Sequence, residues 1–224
     1  MTEIRILRCG KVDYKEMCDL MKDFQKQRID GIIGDTILFV EHPEIVTIGP
    51  KANRDEIIVD GYPTCLTDRG GGITWHGPGQ LVIYPIIKWK LAEQSVKGII
   101  SLLEDWAIGA LEMCGVFAYK SSEMQGAWVD GHKICSIGLS FLHWVSRHGM
   151  SINIATPENR VEQLEGCGIK AGLHTSLSQL GYSEDTKGVP INTLMVQENL
   201  ISTCEKFLGR KPALDVEWSG VIVQ

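Results

Sequence analysis

The chain has 224 residues, 44% of them hydrophobic and 22% charged, with a formal net charge of −6. That balance fits an ordinary soluble core in a single unit spanning residues 1–224. It argues against nucleic acid as the main partner, and no apolar run is long enough to span a bilayer, so no membrane association is expected.

Residues 1–11 alternate short apolar and charged positions and lack the apolar stretch of a secretory signal. Glu3 and Asp13 come too early for an Arg- and Ser-rich transit peptide, so the expected compartment is the cytoplasm. Asp13, with Glu16 three residues on, predicts a helix start. Tyr14, Met17, Cys18, Met21 and Phe24 follow at helical spacing. Residues 36–40 read as a strand ended by His42-Pro43, because the residue before a proline is driven out of the helical region. A second strand is predicted at 45–48 and a buried one at 81–87. Ile99, Leu103, Trp106, Ala110 and Leu111 form one helical stripe, with Gly115 as its cap. Strands are predicted at 116–119 and 126–129, then a hairpin turn at Asp130-Gly131. The return strand is expected over 132–141 and another over 148–155. Residues 157–182 lack a period and read as loop with short helical pieces. Residues 192–208 form the last helix, with Leu200, Cys204 and Phe207 inward and Gly209 at its end. The tail past Leu214 is ambiguous. Hairpin signals beside helical segments predict an α+β fold: a mixed, largely antiparallel sheet with packed helices. Arg147, His148, Lys88 and Lys90 are the nearest approach to a basic patch and read as solvated surface.

The seven cysteines include no C-x-x-C pair, which argues against a disulfide framework and a zinc knuckle. Cys9, Cys18, Cys65, Cys114, Cys135 and Cys204 lie in or beside apolar runs, as core cysteines do. Cys167 differs: it sits between two glycines, after Glu162 and Glu165, in a segment without apolar period.

The stretch from Asp68 to Gln80 is the most informative. Gly70, Gly71 and Gly72 permit close backbone approach, and their free N–H groups can form a nest for an oxygen. Arg69 adds a donor fork. Trp75, His76 and Pro78 are too bulky or rigid for a plain linker. No G-K-[ST] follows, and no G-x-G-x-x-G opens a helix, so neither a Walker loop nor a dinucleotide fingerprint is present. Spacing alone predicts a ligand loop of unspecified type.

Arg69-Gly70-Gly71, Thr74 and His76-Gly77-Pro78-Gly79-Gln80 resemble the signature of the lipoyl/octanoyl transferases of lipoate biosynthesis. Glu41-His42-Pro43 with Thr47-Ile48-Gly49 resembles the family's early strand pair. Residues 133–139 resemble its lysine strand, His148-Gly149 with Asn153 the next strand, and Gly166-Cys167-Gly168-Ile169 the cysteine loop. The likeness runs from about Ile4 to about Leu208. It departs at Gly166, where the family usually has proline, and at Met150-Ser151. These changes bear on loop rigidity and acyl-length preference.

The resemblance implies the sheet fold shared by biotin and lipoate protein ligases. It implies substrate contacts from Arg69, Gly70, Gly71, Gly72, Ile73, Thr74, Trp75 and His76, from Ser136, Ile137 and Gly138, and from Gly149, Met150 and Ser151. His76 and His148 are expected to shape the pocket. It also implies that Cys167 is the nucleophile and Lys133 its partner. A free thiol is mostly protonated at neutral pH, and a cation within roughly 4–6 Å favours the thiolate. The implied reaction moves an octanoyl group from an acyl carrier protein thioester to Cys167. From there it passes to a lysine of a lipoyl domain of the 2-oxoacid dehydrogenases or of the glycine cleavage H protein. Thioester to amide is downhill, so no nucleotide, metal or other cofactor is expected. An ATP-dependent lipoate–protein ligase and a non-catalytic acyl-binding module are the rival readings.

Overall fold

The computed structural model describes residues 2–56, 59–164 and 170–218. In chain order it contains β1 (Thr2–Lys11), α1 (Tyr14–Ile29), β2 (Asp35–Glu41), β3 (Ile45–Ile48), α2 (Pro50–Arg54), β4 (Thr64–Leu66), β5 (Ile73–His76) and β6 (Gln80–Ile86). Then follow α3 (Val96–Glu112), β7 (Tyr119–Lys120), β8 (Ala127–Val129), β9 (His132–Lys133), β10 (Cys135–Leu142), β11 (Val145–Asn153), α4 (Thr193–Leu208) and β12 (Arg210–Glu217).

The main sheet has six strands in the order β10-β11-β6-β2-β1-β12. The pairs from β10 through β11 and β6 to β2 are antiparallel. Those from β2 to β1 and β1 to β12 are parallel. This is the mixed α+β sheet expected from the hairpin signals. Strands β2 and β6 are buried almost throughout because helices cover both faces. On one face Leu38, Val40, Val82 and Tyr84 meet Met17, Met21 and Phe24 of α1. On the other, Ile37, Phe39, Leu81 and Ile83 meet the apolar stripes of α3 and α4. Alternate side chains of one strand thus feed two cores, as the two-residue strand period requires. Each fully buried large apolar side chain contributes about 1.5–3 kcal/mol.

Asp13 caps α1 by accepting from the backbone N–H of Lys15 at 2.8 Å and of Glu16 at 3.3 Å. Such a cap contributes about 1 kcal/mol. Helices α3 and α4 pack together, and the Trp106 indole N–H donates to Leu200 O at 2.9 Å. Two small sheets, β4-β3-β5 and β7-β8-β9, carry the glycine-rich segment and Lys133 respectively.

Several elements differ from expectation. The strand expected at 116–119 shrinks to Tyr119–Lys120, because Val116 N–H instead donates back to Leu111 O and closes α3. The single strand expected over 132–141 splits. Lys133 pairs with Trp128 in the small sheet, and from Cys135 onward the chain joins the main sheet. Ile134 bridges the two, donating to Ala127 O and accepting from Asn153 N–H. The following strand begins at Val145 rather than 148. The ambiguous tail forms β12 beside β1. At the Asp130-Gly131 hairpin both residues take positive φ, 48° and 81°, as the tight turn demands.

Candidate active site

Arg69 organises the glycine-rich loop. It is buried, with 6% of its surface exposed. Its Nη2 donates to Thr47 O at 2.9 Å and to Thr47 Oγ1 at 2.7 Å, and its Nη1 donates to Gly70 O at 3.1 Å. The fork is thus spent largely on tying the loop to β3. Gly70 N–H donates to Leu139 O at 2.9 Å, which ties the loop to β10 as well. The result is a rigid bend with Gly71 and Gly72 facing a cleft of about 530 Å³, whose walls include Lys133, Ser136 and His174.

Arg69, Thr74, Ser136 and Ile137 also border a second, narrower cavity. It runs inward between α1 and the sheet, past Tyr14, His76, Val82 and Tyr84. The hydroxyls of its two tyrosines are already occupied. Tyr14 Oη donates to Thr67 Oγ1 at 3.2 Å. Tyr84 Oη lies 2.8 Å from His42 Nε2, while His42 Nδ1–H donates to Val12 O at 2.7 Å. Tyr14 stacks on His76 with 5.6 Å between ring centroids. The cavity, of only about 20 Å³, therefore presents ring faces and the Val82 side chain. Burial pushes His42 down to about 4 and His76 well below its ordinary value, so both rings are neutral.

At the floor of the glycine segment a chain of amides fixes the geometry. Gln80 Nε2 donates to Trp75 O at 2.9 Å and to Asn153 Oδ1 at 2.8 Å, which leaves Gln80 Oε1 to accept from His76 Nδ1–H at 2.7 Å. Asn153 Nδ2 continues to Thr175 O at 2.8 Å. The loop is thus keyed to the segment that carries His174. At the outer rim His148 Nε2 lies 2.8 Å from Asp68 Oδ1, and Arg147 also pairs with Asp68. His148 is buried and Arg147 is half-buried, so neither is the solvated surface group expected.

Lys133 is 7% exposed although it lies beside a turn. Its backbone N–H donates to Leu173 O at 2.9 Å, and its carbonyl accepts from Thr175 N–H at 3.2 Å. Its ammonium makes no hydrogen bond or ion pair among the described residues. Burial pushes its pKa down to about 8, against smaller opposing effects of Cys135 and Glu104. An amine so placed holds a substantial neutral fraction near pH 7–8, which a base requires. Four of the cysteines are poor nucleophiles by the same physics. Burial pushes Cys9, Cys135 and Cys204 up to about 12 and Cys18 to about 11. Cys167, Glu165 and Gly166 lie outside the described residues.

Residues 13–186 match the family model described as the lipoyl protein ligase A/B catalytic domain. An octanoyltransferase of Syntrophobacter fumaroxidans is 34% identical over 194 residues, covering 84% of this chain and 85% of the relative. A putative lipoate protein ligase of T. acidophilum with bound lipoic acid superposes with a TM-score of 0.73 at 13% identity, covering 97% of this chain and 90% of the other. A biotin protein ligase variant of Aquifex aeolicus superposes at 0.52 and 13% identity, covering 92% of this chain and 70% of the other. The chain belongs to the octanoyltransferases of this family.

Its activity is octanoyl or lipoyl transfer in protein lipoylation, on the fold shared by lipoate and biotin ligases. No helix among the described residues is long and apolar enough to cross a membrane. In this octanoyltransferase the structure gathers Arg69, Gly70, Gly71, Gly72, Ile73, Thr74, Ser136 and Ile137 around the cleft with Lys133. His76, Gly138, Gly149, Met150 and Ser151 border the inner channel. The side chains of Ile137 and Met150 pack into the core on the α3–α4 side, so these two present backbone to the channel. Trp75 points away from both, into a separate core with Val46, Ala52, Val161 and Leu164, and its indole N–H donates to Glu44. Sequence reasoning missed Tyr14 and Tyr84, whose helical and strand spacing reads as plain core. It also missed His174, which sits in a segment with no period.

Proposed function

We propose that Cys167 attacks the thioester of octanoyl acyl carrier protein, and that the resulting acyl-enzyme passes its octanoyl group to a lysine of a lipoyl domain. In the first step the Cys167–carbonyl bond forms and the carrier's C–S bond breaks, the carrier leaving as a thiol. In the second the acceptor amine forms the C–N bond and the Cys167 C–S bond breaks; Lys133 takes the amine's proton and passes it to the departing sulfur, which regenerates the Cys167 thiol and the neutral lysine. Acceptors are the lipoyl domains of 2-oxoacid dehydrogenases and the glycine cleavage H protein. The setting is the cytoplasm, where thiols stay reduced.

The observation that carries this reading is the buried Lys133 amine in the wall of a wide cleft, which shares Arg69, Thr74, Ser136 and Ile137 with a narrow inner cavity. The two ends of the segment that bears Cys167 support it. Leu164 borders a small cavity together with His174, and Leu173 O accepts from Lys133 N–H. The acyl tail supplies binding by opening the narrow inner cavity: at about 0.8 kcal/mol per buried CH₂, seven carbons contribute up to roughly 5–6 kcal/mol, before the cost of that opening and of ordering. The glycine loop and Arg69 clamp shape the mouth through which the carrier's thioester enters.

The test mixes the protein with octanoyl acyl carrier protein and an unmodified lipoyl domain, without ATP, and follows intact masses. The reading expects one octanoyl group gained by the lipoyl domain, and no transfer by Cys167→Ser. Transfer that begins only when free octanoate and ATP are supplied would establish a ligase instead.

A further inference from the structure

His174 is a second buried polar group in the same cleft as Lys133. It is 5% exposed, and neither ring nitrogen has a hydrogen-bond partner among the described residues. A buried imidazole without a partner carries a desolvation cost, and native structures rarely leave one unless something else binds there. His174 is also held firmly. It forms a parallel β-bridge with Lys133, and the flanking Leu173 and Thr175 make the backbone hydrogen bonds of that bridge. Asn153 Nδ2 donates to Thr175 O, and Thr175 Oγ1 donates to Glu162 Oε1 at 3.1 Å. The ring borders the cleft shared by Lys133, Gly72, Thr74 and Ser136.

We infer that His174 is a catalytic residue that donates a ring N–H to the thioester carbonyl oxygen as it becomes an oxyanion. The inference rests on the acyl-enzyme reading above. In each half-reaction a nucleophile adds to the octanoyl carbonyl carbon and the electron pair of the C=O bond moves onto oxygen. The leaving sulfur then departs and the carbonyl reforms. His174 transfers no proton; it holds the negative oxygen while the C–S bond breaks. A donor that is already fixed and desolvated needs no reorganisation at that moment.

Neutrality suits this role. Burial, with the nearby Lys133 charge, pushes the imidazole down to about 3, so one N–H and one lone pair persist throughout the working range. An imidazolium beside Lys133 would place two cations in a buried cleft, and Lys133 would be harder still to protonate. The β-bridge holds the two residues side by side. One accepts the amine proton while the other stabilises the oxygen.

The experiment compares wild type, His174→Gln and His174→Val as full chains, with Cys167→Ser alongside. Acylation by octanoyl acyl carrier protein and transfer to a lipoyl domain are each measured under single turnover. His174→Val should slow both steps by about 10²–10³-fold, as loss of one oxyanion donor does, with KM for the carrier within about twofold. His174→Gln, which keeps an N–H donor, should recover at least about tenfold of that loss. A rate for His174→Val within about threefold of wild type would overturn the inference, as would a Gln variant no faster than Val. If His174→Val does not fold, the carbonyl stretch of the ¹³C-octanoyl enzyme decides. It should lie lower in wild type than in His174→Phe, and equal frequencies would overturn the role. Transfer that survives in Cys167→Ser would instead remove the acyl-enzyme reading itself.

Discussion

Replacing Lys133 by Met separates the proposed catalytic use of the buried amine from its energetic cost. The Lys133 pKa falls from 10.5 to about 8 mainly because burial disfavours the ammonium. The unfolded chain therefore binds more protons than the native state between those values. At pH 7 the native protein holds the charged form at a cost of about 3 kcal/mol. The cost is fully present below the folded pKa and disappears as pH rises through 10.5. Met matches the volume of the lysine stem, and no side-chain hydrogen bond among the described residues is lost. Lys133→Met should therefore stabilise the protein by up to about 3 kcal/mol at pH 7, or roughly 6–12 °C in Tm for a chain of this size. The gain should shrink toward zero above about pH 10.5 as lysine loses its charge in both states. Octanoyl transfer by the variant should collapse. The assay is chemical denaturation at a series of pH values with transfer measured in parallel. A variant less stable than wild type at pH 7, or a gain independent of pH, would refute the reasoning.

Three further outcomes follow from the same geometry. The pH profile of kcat/KM for the wild type should rise to a plateau with an apparent pKa near 8, that of the buried Lys133 amine, and a flat profile from pH 6 to 9 would contradict the base role. Gly149→Ala places a Cβ 2.0 Å from Ile83 O and 2.6 Å from Pro85 Cδ, so β11 must part from β6. A loss of about 1–3 kcal/mol is expected by thermal denaturation, and an unchanged Tm would contradict the strand register. Val82→Phe fills the inner channel, so the ratio of kcat/KM for octanoyl over hexanoyl donors should fall by about 15-fold, the worth of two methylenes at about 0.8 kcal/mol each. An unchanged ratio would place the acyl chain elsewhere.

The helices and central strands were legible because their signals are local. Asp13 caps α1, and Trp106, Ala110 and Leu111 face inward from α3 as their spacing predicts. The Asp130-Gly131 turn was legible for the same reason. The next turn was not, because His143 and Trp144 both take left-handed φ, at 49° and 60°, with no glycine to announce it. The outer strand β12 was ambiguous because its place beside β1 depends on residues about 200 positions apart. The tight backbone of the glycine loop was legible by composition, and its family by the resemblance. The Arg69 clamp on Thr47 was not legible, because only the folded loop creates that contact. His174 left no trace in the sequence because its value lies in its burial beside Lys133, a pairing made across 41 positions by the β-bridge.

The central claim is that a covalent octanoyl group passes through Cys167. The direct measurement is peptide mapping by mass spectrometry after brief incubation with octanoyl acyl carrier protein alone, without lipoyl domain or ATP. The account predicts one octanoyl group, located on Cys167, that is discharged when lipoyl domain is added. An unmodified chain, or an octanoyl group on another residue that the lipoyl domain discharges equally fast, would contradict it.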